Sequence, residues 1–153
     1  MKNLKSAFIL SIFLLPKFLI AGNLVDLKQN MDSLVPPTTS IELFVNEPWL
    51  SFIRDGKKTV EGRAGPLNDY SSWVGKKVRF YSLKQDVFVH VIEVHHYDNL
   101  HEFLNVEGWK NAAPHLGSFD DTVNAYLKFY PGDFIEKAGG MNGIIVSMQP
   151  PIL

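Results

Sequence analysis

The chain has 153 residues, of which 46% are hydrophobic and 20% are charged, and its net charge is −1. This length and composition fit one globular domain and exclude a disordered or collagen-like chain. The chain has no cysteine, which excludes disulfide bonds, thiol nucleophiles and zinc sites built on cysteine.

The first 21 residues differ from the rest of the chain. Two lysines precede an apolar run at residues 7–16, which Lys17 separates from a second run at 18–21. A membrane-spanning helix needs about 20 apolar residues, and a lysine near its middle is unfavourable. Three interpretations remain open: a cleaved signal peptide, an uncleaved anchor or interfacial helix, and a non-native extension with translation starting at Met31. A signal or anchor would contact the secretion machinery or the membrane and make the protein secreted or membrane-associated. Without one, a cytoplasmic protein is expected.

Residues 22–40 are predicted to be a linker, because they contain a Pro-Pro pair and a Thr-Thr-Ser run. The folded domain is therefore expected at residues 41–153. It begins with a short apolar segment at residues 41–45 that predicts a strand.

A short helix is predicted directly after this strand. Pro48 suits the first turn of a helix, and Asn46 or Glu47 can accept hydrogen bonds from its free amide groups. The apolar residues that follow recur at helical spacing: Trp49, Phe52 and Ile53. Gly56 is placed to end the helix in the left-handed conformation.

Three strands follow the helix. Residues 59–63 predict the first, and a loop rich in Gly, Pro, Asn and Ser at 64–72 separates it from the second. The second strand, at residues 76–82, alternates apolar and basic side chains, and the third, at 87–96, is rich in β-branched residues.

The C-terminal part changes from strand to helix periodicity. A short helix is predicted at residues 99–106, and a longer one begins after a capping serine, Ser118, and ends at Tyr130. A closing strand is predicted at residues 143–148. This element order indicates an α+β domain, a small mixed barrel of about five strands with two or three flanking helices.

Charge is distributed unevenly along the domain. Residues 54–84 have a net charge of +5, whereas residues 85–153 have a net charge of −6. A basic segment of this kind can attract a phosphate backbone or an acidic ligand. A solvated strand face is the alternative explanation.

Residues 56–63 read Gly-Lys-Lys-Thr-Val-Glu-Gly-Arg. This run resembles the G-x-K-x-x-E-x-R motif of the ASCH domain, a relative of the PUA fold: Gly56, Lys58, Glu61 and Arg63 match its four fixed positions. The resemblance covers residues 41–148. It implies a PUA-like β-barrel with a cleft beside the motif, and it associates the chain with RNA binding, coactivator-type proteins or ribonuclease activity.

The motif also predicts a charged site on physical grounds. Glu61 can hold Lys58 or act as a base, and Arg63 can bind a phosphate or carboxylate through two N–H groups. On a regular strand Lys58 would point away from the other two side chains, so it can join them only from the turn after Gly56. The alternative is a surface salt bridge. For a ligand site of this kind, replacing Lys58 with alanine is expected to change the free energy of unfolding by no more than about 0.5 kcal/mol.

One compact bacterial branch of the ASCH family hydrolyses N4-acetylcytidine to cytidine. It pairs the motif lysine with a threonine three positions later and a glutamate on a later helix. Lys58 matches the lysine and Glu107 can match the later glutamate, but Glu61 stands at the threonine position. A carboxylate cannot act as a hydroxyl nucleophile, although it can activate water. The resemblance therefore implies Lys58, Glu61 and Glu107 as candidate catalytic residues of a hydrolase.

Other patterns are weaker indications of a functional site. His95 and His96 are adjacent on a predicted strand and face opposite sides, so they are interpreted as structural or surface residues and no metal ion is expected. Trp49 and Tyr126 are predicted to be packing residues, whereas Trp73 lies in a polar loop and is a candidate for stacking on a base. No cofactor is expected, and the protein is predicted to be a monomer.

The resemblance and the charges together predict an RNA- or nucleotide-binding domain. Arg63 and Trp73 would contact the ligand, and three further cations would contact its phosphates: Lys57, Lys77 and Arg79. Such a domain could be a hydrolase acting on RNA or on a modified nucleoside such as N4-acetylcytidine. The alternative is a non-catalytic RNA- or protein-binding module, secreted or lumenal if the N-terminal segment is a signal.

Overall fold

The computed structural model describes residues 41–150. The chain divides into two units, Met1–Thr38 and Thr39–Leu153, and the described residues all belong to the second. The predicted N-terminal segment and the predicted linker lie outside the described residues. Within residues 41–150, no helix is both long and apolar enough to cross a membrane.

Five strands form one mixed sheet, which confirms the predicted α+β class. Their bounds are β1 (Glu42–Phe44), β2 (Val60–Ala64), β3 (Lys77–Tyr81), β4 (Asp86–Tyr97) and β5 (Met141–Ser147). The strand order is β1-β3-β4-β5-β2. β1 pairs with β3 in parallel, and the other pairings are antiparallel. No strand pairing in the described part of the chain joins the edge strands β1 and β2, so the barrel-like sheet is not closed.

The described residues form five α-helices, more than the two or three expected. They are α1 (Trp49–Arg54), α2 (Leu100–Val106), α3 (Trp109–Ala112), α4 (Phe119–Phe129) and α5 (Phe134–Ala138). The sequence did not predict α3 and α5, because helices of four and five residues are too short to show a helical period. The predicted loop after β2 contains two 3-10 turns, Leu67–Asp69 and Ser71–Trp73.

Helix α1 begins and ends as the sequence predicts. The Glu47 carboxylate accepts hydrogen bonds from the Ser51 backbone N–H and hydroxyl, at 3.2 and 2.7 Å. Ser82 and Gln85 donate to the other carboxylate oxygen. These hydrogen bonds, with that of Ser51 contributing most, lower the pKa of Glu47 to about 2 and connect α1 to the turn between β3 and β4. Gly56 has a φ of +68° and ends the helix.

Each face of the sheet has its own core, because successive strand residues point to opposite faces. The first core packs α1 against one face: Val45, Leu50, Ile53, Val78, Phe80, Val87, Val89, Val91, Ile144 and Val146. The second core packs α2 and α4 against the other face: Val60, Tyr97, Leu100, Phe103, Leu104, Ala112, Val123, Tyr126, Ile135 and Met141. Strand β2 carries Glu61 and Arg63, the last two charged residues of the motif.

Candidate functional site

Lys58 lies between α1 and β2, before regular strand geometry begins, and its side chain is almost fully buried. Its ammonium group donates hydrogen bonds to the carbonyl oxygens of Val60 and Ala112, both at 2.6 Å. Its Nζ is also 3.2 Å from Glu61 Oε2. These three contacts match the three N–H groups of a lysine, so the ammonium group is fully engaged within the protein.

Glu61 and Arg63 lie on the same face of β2, as the strand alternation predicts. Glu61 is buried, and its Oε1 lies 2.9 Å from Arg63 Nε. That contact is an ion pair without hydrogen-bond geometry, because Arg63 Nε has no hydrogen-bond partner. Glu61 is therefore held between two cations. The burial of Lys58 and Glu61 excludes a surface salt bridge, and it leads us to expect a larger contribution of Lys58 to stability than the sequence predicted.

Arg63 connects the two edge strands of the open sheet. Its Nη2 donates a hydrogen bond to the Phe44 carbonyl oxygen at 2.6 Å. Phe44 is the last residue of β1, and Arg63 belongs to β2. A side chain therefore bridges the gap where strand pairing would close a barrel. The cleft that contains the three charged motif residues lies at this gap.

The cleft has a volume of about 230 Å³. Its floor contains Lys58, Glu61 and Arg63, and its walls are largely aromatic: Phe44, Trp49, Tyr126, Phe129 and Tyr130. The Trp49 ring centroid lies 5.4 Å from Lys58 Nζ, close enough for a cation–π contact. The structure thus brings the three charged motif residues together under a group of aromatic rings.

Burial and the neighbouring charges act in opposite directions on the floor residues. Burial lowers the pKa of Lys58, and the Glu61 carboxylate opposes that shift. Burial also acts against the charge of Arg63, but the attraction of Glu61 prevails and raises the pKa of the guanidinium. With all three groups ionised, the floor carries a net charge of +1, which favours a ligand with an anionic group.

Glu107 lies on the other face of the sheet. Gly62 and Gly143 are paired across β2 and β5 and therefore face the same side. A Cβ atom at Gly143 would lie 2.9 Å from Glu107 Oε1. Glu61 follows Val60 and precedes Gly62, so its side chain points the opposite way. The expected catalytic set of Lys58, Glu61 and Glu107 consequently does not form one site.

Glu107 instead belongs to a polar cluster beside the second core. The Tyr97 hydroxyl donates a hydrogen bond to Glu107 Oε1, which also lies 2.7 Å from His95 Nδ1. The other ring nitrogen of His95 is 2.9 Å from Glu93 Oε2. The hydrogen bond to Glu107 is the largest cause of a raised pKa at His95. Within residues 41–150, no group of His, Asp and Glu residues is arranged to hold a metal ion.

The other predicted ligand contacts do not gather at the cleft. Trp73 is half-buried against the first core and meets Tyr70 edge-on, with ring centroids 5.1 Å apart. Arg79 forms ion pairs with Glu42 and Asp86, so it is not a free phosphate contact. The exposed basic residues Lys57 and Lys77 lie outside the cleft lining, the latter with its Nζ 5.0 Å from the Phe88 ring centroid.

Sequence reasoning missed several cleft residues. Phe44 and Phe129 were not predicted to contact a ligand, and Trp49 and Tyr126 were assigned to packing although they also line the cleft. Trp49 packs against the first core and Tyr126 belongs to the second, so each ring has both roles. The sequence does show an aromatic residue at the end of β1 and another at the end of α4. Their meeting at one cleft depends on the curvature of the sheet, which the sequence pattern does not show.

No protein-family model and no curated protein matches this chain. Two of the solved structures that are similar to it are the following. The crystal structure of the hypothetical protein PH0355 is 27% identical with a TM-score of 0.62, and the match covers 71% of this chain and 98% of that one. The solution structure of protein PF0455 from Pyrococcus furiosus is 26% identical with a TM-score of 0.56, and the match covers 71% and 96% of the two chains. The matched region thus accounts for nearly the whole of both similar proteins.

Proposed function

We propose that this protein binds RNA or a nucleotide, with a base inserted into the cleft between β1 and β2. The observation that carries this proposal is the group of five aromatic side chains above the floor of Lys58, Glu61 and Arg63. Aromatic rings stack on the flat faces of unpaired bases, and charged groups beneath them can bind the base edges or a phosphate.

The size of the cleft supports a small planar ligand. Its volume of about 230 Å³ lies below the range of roughly 300–1,000 Å³ typical of pockets for drug-sized molecules. A base or a single nucleoside is a ligand of suitable size, whereas a folded peptide element is too large. The net positive charge of the floor additionally favours a ligand that carries a phosphate.

Each floor residue has a separate role in this proposal. Arg63 donates one N–H group to the Phe44 carbonyl oxygen, which leaves donors for a phosphate or a carbonyl group. Glu61 retains lone pairs that can accept an N–H of a base. Lys58 uses all of its N–H groups within the protein, so it positions Glu61 and does not bind the ligand directly.

We also propose that the chain is a member of the ASCH family. The support is the spacing of Gly56, Lys58, Glu61 and Arg63, together with an α+β domain in which the last three residues meet at one cleft.

Calorimetric titration of the full chain with the four nucleosides, their 5′-monophosphates and short single-stranded RNAs tests the binding proposal. Arg63→Ala is expected to weaken the binding of the best ligand by about tenfold, because charged hydrogen bonds to a phosphate are lost. Lys110→Ala removes an exposed cation outside the cleft lining and is the control. Unchanged affinity in Arg63→Ala, or no binding by any of these compounds, would contradict the proposal.

Hydrolysis is a second candidate function, favoured by the buried carboxylate of Glu61 at the cleft, 3.2 Å from the Lys58 ammonium. In that case Glu61 would activate a water molecule, and Lys58 would hold the Glu61 side chain in position. The reaction class would be cleavage of an amide in a modified nucleoside such as N4-acetylcytidine, or of an RNA phosphodiester.

A turnover assay on N4-acetylcytidine and short RNAs separates this candidate from a non-catalytic module. Glu61→Gln is expected to abolish turnover in an enzyme and to leave binding intact in a pure RNA-binding protein. Glu61→Thr restores the residue of the amidohydrolase branch, and a gain of N4-acetylcytidine hydrolysis in that variant would show that the rest of the site suffices. No turnover in the wild type or in Glu61→Thr would reject hydrolysis.

A further inference from the structure

A second hollow lies directly beside the cleft. It also has a volume of about 230 Å³, and it shares the side chains of Phe44 and Asn46 with the cleft. Its remaining lining residues, apart from Glu47, come from the turn between β3 and β4: Ser82, Leu83 and Lys84. We call it the turn hollow. Phe44 thus forms a ridge between two adjoining spaces, and its side chain is exposed.

Beside the ridge, Arg63 retains one hydrogen-bonding group that the described residues do not use. Arg63 donates to the Phe44 carbonyl oxygen through Nη2. Its Nε is buried and faces Glu61 Oε1 at 2.9 Å, so a ligand cannot reach it, whereas no partner of its Nη1 is found among the described residues. An anionic group at the ridge can therefore contact the Arg63 guanidinium group. Glu61 is the only carboxylate that residues 41–150 place at the cleft floor, and it neutralises only one of the floor's two cations, Lys58 and Arg63, so the floor keeps a net positive charge.

The turn hollow combines an exposed apolar side chain with an unpaired cation. Leu83 is 96% exposed, the highest value among the exposed large hydrophobic residues of the described chain. Lys84 is exposed, and no ion pair is found for its ammonium group within residues 41–150. An apolar surface next to a cation suits the face of a base with a phosphate beside it.

The turn that presents these two side chains is held in place. The Ser82 hydroxyl accepts the backbone N–H groups of Lys84 and Gln85, at 3.2 and 3.3 Å, and donates to Glu47 Oε1 at 3.0 Å. The Gln85 amide group donates to the same carboxylate oxygen at 2.7 Å. A fixed turn loses little conformational entropy when a ligand binds, so the turn hollow is a preorganised surface. The Glu47 carboxylate also lines the turn hollow, and these neutral donors satisfy its oxygen atoms but leave its negative charge in place.

From these observations we infer that the ligand spans both spaces and is a chain of at least two nucleotides. The first base occupies the cleft, the linking phosphate lies at the Phe44 ridge beside Arg63, and the second nucleotide packs on Leu83 with Lys84 near its phosphate. This inference rests on the proposed function, because it assumes that the cleft binds a nucleotide. A free mononucleotide would leave the turn hollow empty.

Calorimetry on the full chain with the four nucleoside 5′-monophosphates and the four matching homodinucleotides tests the inference. The preferred dinucleotide is expected to bind about tenfold more tightly than its monophosphate, because a second base adds a packing contact. Leu83→Ser and Lys84→Ala should each reduce dinucleotide affinity by about three- to tenfold and leave monophosphate affinity unchanged. Lys76→Ala is the matched control, since it removes the same charge from an exposed site just before β3, at the opposite end of that strand from the turn, and should change neither affinity.

The outcomes separate this inference from the proposed function. Monophosphate binding without a gain for the dinucleotide would overturn the inference and leave the proposed function standing. A dinucleotide gain that persists in both Leu83→Ser and Lys84→Ala would place the second nucleotide elsewhere and would also overturn it. A failure of every monophosphate and dinucleotide to bind would overturn the proposed function itself.

Discussion

Replacement of Lys58 by methionine is expected to destabilise the fold strongly. Methionine keeps the length and much of the volume of the side chain but removes the charge and all three N–H donors. The carbonyl oxygens of Val60 and Ala112 would then lose a hydrogen bond each, and Glu61 would lose one of its two cationic partners. Removing one partner of a buried ion pair costs about 3–5 kcal/mol, because the other charge stays buried without full compensation.

The loss is large compared with the total stability of a small domain, which is about 5–15 kcal/mol. Urea denaturation followed by circular dichroism, at a temperature where the wild type is fully folded, measures it. Lys57→Met is the matched control, because the neighbouring lysine is exposed and its replacement should change the free energy of unfolding by less than about 0.5 kcal/mol. The double variant Lys58→Met/Glu61→Gln should recover part of the loss, since it removes the uncompensated carboxylate.

A loss of less than about 1 kcal/mol in the free energy of unfolding of Lys58→Met would refute this reasoning, because removing a buried ammonium group with three partners should destabilise the fold by more than that. It would mean that the lysine is not held by the contacts described here. A loss of the expected size without recovery in the double variant would assign the destabilisation to the two carbonyl oxygens and not to Glu61.

Three further changes test other contacts. The lowered pKa of Glu47 means that its contribution to stability is present above its ordinary value of 4.5 and is lost as the pH falls toward about 2, so Glu47→Gln should flatten the dependence of the urea midpoint on pH over that range. The raised pKa of His95 has the opposite effect on the pH dependence of stability. The contact of His95 with Glu107 stabilises the fold below the ordinary pKa of 6.5, and this stabilisation is lost as the pH rises through the higher pKa of the folded state. NMR titration of the His95 ring should show the raised pKa, and Glu107→Gln should reduce the shift. Gly62→Ala should cost about 1–3 kcal/mol in thermal or urea denaturation, because a Cβ atom there would lie 2.5 Å from the Tyr126 hydroxyl, and a variant as stable as the wild type would show that this wall of the cleft can move.

Local sequence patterns were sufficient for most of the regular elements. The spacing of apolar residues and the position of Gly56 predicted α1, because helix period and a left-handed C-terminal glycine are properties of neighbouring residues. The alternation of apolar and basic residues predicted β3 for the same reason. The short helices α3 and α5 escaped prediction, since their four and five residues contain little more than one turn.

Part of the candidate site was also predictable. Strand alternation placed Glu61 and Arg63 on one face, and it correctly required Lys58 to lie outside the regular strand if it was to join them. The same local rules said nothing about Glu107, whose place relative to β2 depends on which face of the sheet α2 covers. Nor could they show that Trp73 packs on the first core, although its polar loop suggested an exposed ring.

The sequence by itself determined the α+β class, most element positions and the charged motif, because these depend on the order of residues within one or two turns or strands. Only the tertiary structure decided that Lys58 is buried, since one of its acceptors, Ala112, comes 54 residues later in the chain. It also decided that Phe44 and Arg63, 19 residues apart, meet across the open edge of the sheet and enclose a cleft. Contacts of this kind arise from the curvature of the whole sheet and the packing of two cores, and no local pattern encodes them.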